Sequence, residues 1–164
     1  MFNSIIKFLA GGLGLGFMPV APGTFGTVWG SILYYFLRSH PQLWFFYFSV
    51  TFAMFSIIIA HLGEKAFKEK DCQKIVIDEV AGVLFCYMLV PYSLFNLVMG
   101  FILFRIFDIA KLPPARQAQD KLKGGLGVVG DDLVAGLQGG IILVALPWLM
   151  QSVGTGLKWL DKLW

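Results

Sequence analysis

From Gln42 to Leu62 the chain carries no formally charged side chain, and only the histidine at position 61 interrupts its apolar character. A helix needs about 20 largely apolar residues to cross the hydrocarbon core of a bilayer, and this stretch meets that requirement. Such a segment is the clearest candidate span in the chain. The composition agrees: 57% of the 164 residues are hydrophobic and only 14% are charged, where a soluble domain carries about 25% charged residues. The mean hydropathy is +0.74.

The same reasoning places four further apolar stretches beside the first: Thr24 to Leu37, Ile75 to Val90, Tyr92 to Ile109, and Leu133 to Met150. Pro91 separates two of them and is expected to end one helix and allow the next to begin. The expected fold is therefore all-α, a polytopic transmembrane bundle of about five membrane segments. It is preceded by an N-terminal segment that lies in the interface or re-enters the membrane. Gly11, Gly12, Gly14 and Gly16 break the first apolar run, which argues against a cleaved secretory signal. A length of 164 residues suits a single membrane-embedded domain over 1–164. Gly26 with Gly30, and Gly136 with Gly140, have the spacing that lets helices approach closely.

Several function classes drop out. The net charge is +3 and no long basic tract interleaved with aromatics occurs, so nucleic acid is not an expected partner. Cys72 and Cys86 form neither a disulfide framework nor a zinc-ligand spacing. The glycine turns Gly23 to Thr27 and Gly124 to Gly127 could turn backbone amides toward a phosphate, but neither holds the complete nucleotide-binding loop with its lysine. Lys65, Lys68, Lys70 and Lys74 crowd one loop, and Lys111, Arg116, Lys121 and Lys123 crowd another. The positive-inside rule makes both loops cytoplasmic. A short surface helix carrying Leu157, Leu160 and Trp164 is one reading of the C-terminus.

On that topology the polar residues gather at one face. Asp78 and Glu79 open the third segment, Arg105 and Asp108 close the fourth, Asp131 and Asp132 open the fifth, Thr24 opens the first, and His61 with Glu64 ends the second. Each pair has an ordinary structural role available, as carboxylates at a helix start or as an ion pair one turn apart. Together they form an acidic cluster at a depth where unpaired charge is costly. Something positive must occupy it. Oxygen donors without a thiolate or histidine cluster favour a hard ion, and Mg2+ commonly bridges carboxylates to phosphate. Arg105 and Lys111, with Arg116 nearby, supply cations suited to a phosphate.

These stretches resemble the phosphatidylglycerophosphatase A family of small bacterial inner-membrane phosphatases. The resemblance lies in APGTFGT from Ala21 to Thr27, IVIDEVAG from Ile75 to Gly82, FRIFDIAK from Phe104 to Lys111, and GGLGVVGDDLVAG from Gly124 to Gly136. Four separated motifs agree in order and spacing. The resemblance implies a Mg2+-dependent enzyme that removes the terminal phosphate of phosphatidylglycerophosphate to give phosphatidylglycerol at the cytoplasmic face of the inner membrane. It places the family's acidic positions, expected to be catalytic and metal-binding, on Asp78, Glu79, Asp108, Asp131 and Asp132. Its substrate-binding positions fall on Arg105, Lys111, Gly23, Thr24 and His61, with Pro22 beside them. The expected partners are this lipid and the bilayer. The sequence fixes no oligomeric state and allows a homo-oligomer. The competing classes are a small cation-binding transporter, which would place ionisable groups at several depths, and a structural membrane subunit.

Overall fold

The computed structural model describes residues 2–70 and 72–152, and these are all-helical. Seven α-helices follow one another: α1 Phe2–Ala10, α2 Pro22–Leu37, α3 Gln42–Phe67, α4 Ile77–Tyr87, α5 Leu94–Ala110, α6 Ala115–Lys121 and α7 Gly125–Ser152. A 3₁₀ turn at Leu15–Phe17 joins α1 to α2. The C-terminal surface helix expected at 157–164 lies outside the described residues.

Among the described residues, two helices, α3 and α7, are long and apolar enough to cross a membrane, which is fewer than the five expected. The reason is length. At 1.5 Å per residue, the 11 residues of α4 cover only about 16 Å, against a hydrocarbon core of about 30 Å. Helices α2 and α5, with 16 and 17 residues, are also short. The apolar run from Ile75 to Val90 is thus a buried core helix: Val80, Ala81, Val83, Leu84, Cys86 and Tyr87 are inaccessible to solvent. Helices α2, α3, α5 and α7 pack around it. Pro91 does not terminate α4, which stops at Tyr87. The Ser93 side chain caps α5 by accepting from the Asn96 amide at 3.0 Å.

Glycines set the closeness of this packing. Gly26 and Gly30 turn toward Val76, just before α4, and Val80 and Val83 within it, while Gly136 and Gly140 meet the Gly82 and Cys86 carbonyls on its other side. Both pairs read from the sequence therefore form helix contacts. At the end of the bundle where α4 finishes, Tyr34 stacks on Tyr87 at 4.3 Å, Tyr92 lies against Tyr34 and Tyr35, and His40 stacks on Trp44. Aromatic side chains of this kind favour a membrane interface. The charged ends of the helices lie at the opposite pole. There α1 packs on α3 through Ile6 and Ala10 and leaves Phe2, Ile5 and Phe8 exposed.

Candidate active site

Four helices and two connecting segments build a polar pocket at that pole. Asp78 and Glu79 occupy the first turn of α4, where unpaired amides and the helix dipole favour negative charge. Arg105 and Asp108 occupy the last turns of α5, and Lys111 follows as its left-handed cap with φ 44°. Pro22 and Gly23 begin α2. Asp131 and Asp132 are buried, each only 5% exposed. All nine side the same cavity of about 330 Å³, completed by Cys72, Gln73, Ile75 and Val128.

Helix α7 begins at Gly125, eight residues before the expected Leu133, and the loop expected over Lys111 to Gly130 contains α6. This correction matters for Asp131 and Asp132. They lie about two turns inside α7 rather than at its start, beyond the reach of capping or dipole effects, which fade within the first turn. Their ordinary structural explanation is lost.

The five carboxylates divide into two groups. Asp108 Oδ2 accepts from Arg105 Nη1 at 2.5 Å, and Asp131 Oδ2 accepts from Lys111 Nζ at 2.8 Å. Burial alone would lower the Lys111 pKa, but its bond to Asp131 and the charges of Asp131, Asp132 and Asp108 hold it above the usual lysine value. Asp78, Glu79 and Asp132 instead converge, each with an oxygen within 4.8 Å of the others. Asp78 Oδ1 and Glu79 Oε2 are buried without any hydrogen-bond partner. Buried carboxylate oxygens in that state are costly unless a cation or proton meets them. Three converging oxygen donors with two orphaned atoms fit a hard divalent ion.

Gly23 fits this arrangement sterically. A side chain there would collide with Glu79 Oε1 and lie 3.5 Å from Arg105 Nη1, so the bare backbone gives the carboxylate its space.

The remaining expected residues stand elsewhere. Thr24 is half-buried in the first turn of α2 and does not line the cavity. His61 is exposed on α3 and packs against Gly124 and Gly125, outside the cavity. The glycines opening α7 let that helix lie directly on α3, against the Ile57 carbonyl and the His61 ring. Gly124 and Gly127, read as a phosphate turn, line a separate hollow with Glu64, Lys70 and Gln119. Arg116 is exposed on α6. Gln73 was not singled out from sequence. Its only signal was position, a polar residue in the short connection that leads into Asp78.

Comparison with known proteins bears on this cavity. The model of the phosphatidylglycerophosphatase A family matches residues 8–147, a span that contains every residue lining it. The chain belongs to the phosphatidylglycerophosphatase A family. Proteins named phosphatidylglycerophosphatase A from Haemophilus influenzae and Escherichia coli are each 33% identical to it, over 88% and 79% of this chain and 90% and 76% of their own lengths. A Bacteroides thetaiotaomicron protein, provisionally named a phosphatidylinositol-3-phosphatase, is 34% identical over 90% of this chain and 97% of its own. No solved structure matches. Membership in the phosphatidylglycerophosphatase A family makes the chain a phosphatase, and the cavity is its candidate catalytic centre.

Proposed function

We propose that this phosphatase removes the terminal phosphate of phosphatidylglycerophosphate, with Mg2+, at the cytoplasmic face of the bacterial inner membrane. The reading is carried by one observation: three converging carboxylates with orphaned oxygens lie in the same cavity as two oriented cations. The names of the Haemophilus and Escherichia relatives support the substrate. Asp78, Glu79 and Asp132 would hold the ion. When bound, it supplies charge stabilisation to phosphoryl oxygens and makes nearby water more acidic.

The chain's own residues supply the rest. Asp108 and Asp131 hold Arg105 and Lys111 aimed into the cavity before substrate arrives, so little reorientation is needed as phosphoryl charge shifts. Water attacks phosphorus in line with the ester oxygen, and its proton passes to a cavity carboxylate. The bond from phosphorus to the glycerol oxygen breaks, and that oxygen takes up a proton as the alcohol leaves. The acyl tails remain in the apolar phase. The cytoplasmic assignment rests on the lysine-rich segments that flank this pole, 65–74 and 111–123.

A transport role fits less well. Beneath the carboxylates the core is Val80, Val83, Leu84, Phe104 and Leu143, and among the described residues no carboxylate continues a path through it. A second substrate has specific support in the name of the Bacteroides relative, phosphatidylinositol 3-phosphate. Release of inorganic phosphate from each lipid by purified protein, with Mg2+, with chelator and with Asp108→Asn, tests the reading. Faster release from phosphatidylglycerophosphate, lost in chelator and reduced about 100-fold in the variant, is expected. Release unaffected by chelator and by the substitution would refute the site, and preference for the inositol lipid would replace the substrate.

A further inference from the structure

On the side of the bundle away from α3 and α7, α2 and α5 both lean on α4 and leave a cleft of about 330 Å³ between them. Its walls are Val28, Ile32 and Tyr35 of α2 and Leu97, Val98 and Ile102 of α5. Two features set it apart from the general apolar surface. First, the same two helices carry the cavity: Gly23 lies five residues before Val28, and Arg105 lies three residues after Ile102. The cleft therefore starts roughly one to two turns, about 5 to 8 Å, from the phosphate-facing groups and leads away from them toward the aromatic pole.

Second, the cleft is held open by a polar tie at its base. The Tyr87 hydroxyl of α4 donates to the Leu97 carbonyl of α5 at 2.9 Å and lies 2.8 Å from Ser31 Oγ of α2. Ser31 Oγ also reaches the Thr27 carbonyl at 2.9 Å. With the Tyr87 hydrogen on the Leu97 carbonyl, Ser31 has one hydrogen for either the Tyr87 oxygen or the Thr27 carbonyl; placed on Tyr87 it completes a tie from α2 through α4 to α5, around which the cleft presents hydrocarbon. A preformed apolar cleft beginning one to two turns from a polar, cation-lined cavity on the same two helices matches the order of a lipid phosphate, head at one end and tail at the other.

Resting on the reading of the cavity as a lipid-phosphate site, we propose that the α2–α5 cleft seats an acyl chain of the substrate while its headgroup lies at the cavity, against Arg105 at the end of the same α5 wall. A bilayer already shields the tail from water, so the cleft contributes by packing and registration rather than by the hydrophobic effect. Holding the tail fixes the depth and direction of the phosphate, and such positioning governs rate strongly.

The test compares kcat/KM for a long-chain and a short-chain form of the same lipid phosphate in detergent. Val98→Trp and Val28→Trp fill the cleft from opposite walls; both positions are already partly exposed, at 49% and 39%. Met54→Trp adds the same indole to exposed α3 as a control. The long-to-short ratio should fall about tenfold in each cleft variant and stay at the wild-type value in the control. An unchanged ratio in both cleft variants would overturn the proposal. A wild-type protein inactive on both lipids would instead remove the phosphatase reading, and the cleft's role with it. Unaltered protein gives an independent readout: one equivalent of a lipid phosphate with a tail diazirine should label peptides 28–35 and 97–102 on irradiation. Labelling spread over α3 at equal yield would overturn the acyl seat.

Discussion

At Gly23 a hydrogen stands where any other residue would carry a side chain, and the Glu79 carboxylate uses that space. The pair shows why the start of α2 belongs with the acidic residues although Gly23 is 55 positions from Asp78 in the chain. Gly23→Ala should push the Glu79 carboxylate out of line with Asp78 and Asp132 while leaving the helices in place. Activity should then fall about 100-fold, the scale of loss that misplacement of about 1 Å can produce, with thermal stability little changed; kcat and Tm measured on one preparation check this. The acidic residues themselves were legible because Asp78-Glu79, Asp108 and Asp131-Asp132 interrupt otherwise apolar sequence. Their division was not. Whether a carboxylate faces Arg105, Lys111 or another carboxylate depends on helix rotation, which residue identity does not specify. His61 is the same case: it packs against Gly124 and Gly125 rather than lining the cavity, a direction that residue identity does not specify.

Among the elements, α4 and α7 determine how the cavity is built. Gly136 lies against the Gly82 carbonyl, with Asp132 one turn earlier on the same helix. A methyl at Gly136 meets rigid backbone rather than a movable side chain. Gly136→Ala should therefore separate the two helices at a cost of about 1–3 kcal/mol, typical of overpacking, lowering Tm and, through Asp132, activity. Parallel thermal melts and phosphate-release assays would show both losses, and a variant as stable as wild type would mean that α4 and α7 are not in backbone contact there. The helices around α4 were readable as apolar runs. The start of α7 was not, because Gly124-Gly125-Leu126-Gly127 reads as a flexible turn until α3 is seen against it. Nor was the brevity of α4, since an apolar run of 16 residues from Ile75 to Val90 gives the same signal in lipid and in a protein core.

Among the described residues, the carboxylates and cations of the cavity and the tyrosine cluster around Tyr34 and Tyr87 lie toward opposite poles, and the cavity opens at the charged one. If that pole is cytoplasmic, a cysteine introduced at exposed Lys123 should resist a membrane-impermeant maleimide in intact cells, whereas one at exposed His40 should react; the reverse pattern would invert the orientation. The buried native Cys72 and Cys86 should contribute little background. The decisive measurement is release of inorganic phosphate from vesicle-embedded phosphatidylglycerophosphate by wild type and Asp132→Asn, each with Mg2+ and with chelator. Wild-type release should stop in chelator and return with Mg2+, while the variant, missing one of the three converging carboxylates, stays about 100-fold lower throughout. Equal release by both proteins, or release that continues without a divalent ion, would contradict a metal-assisted site formed by Asp78, Glu79 and Asp132.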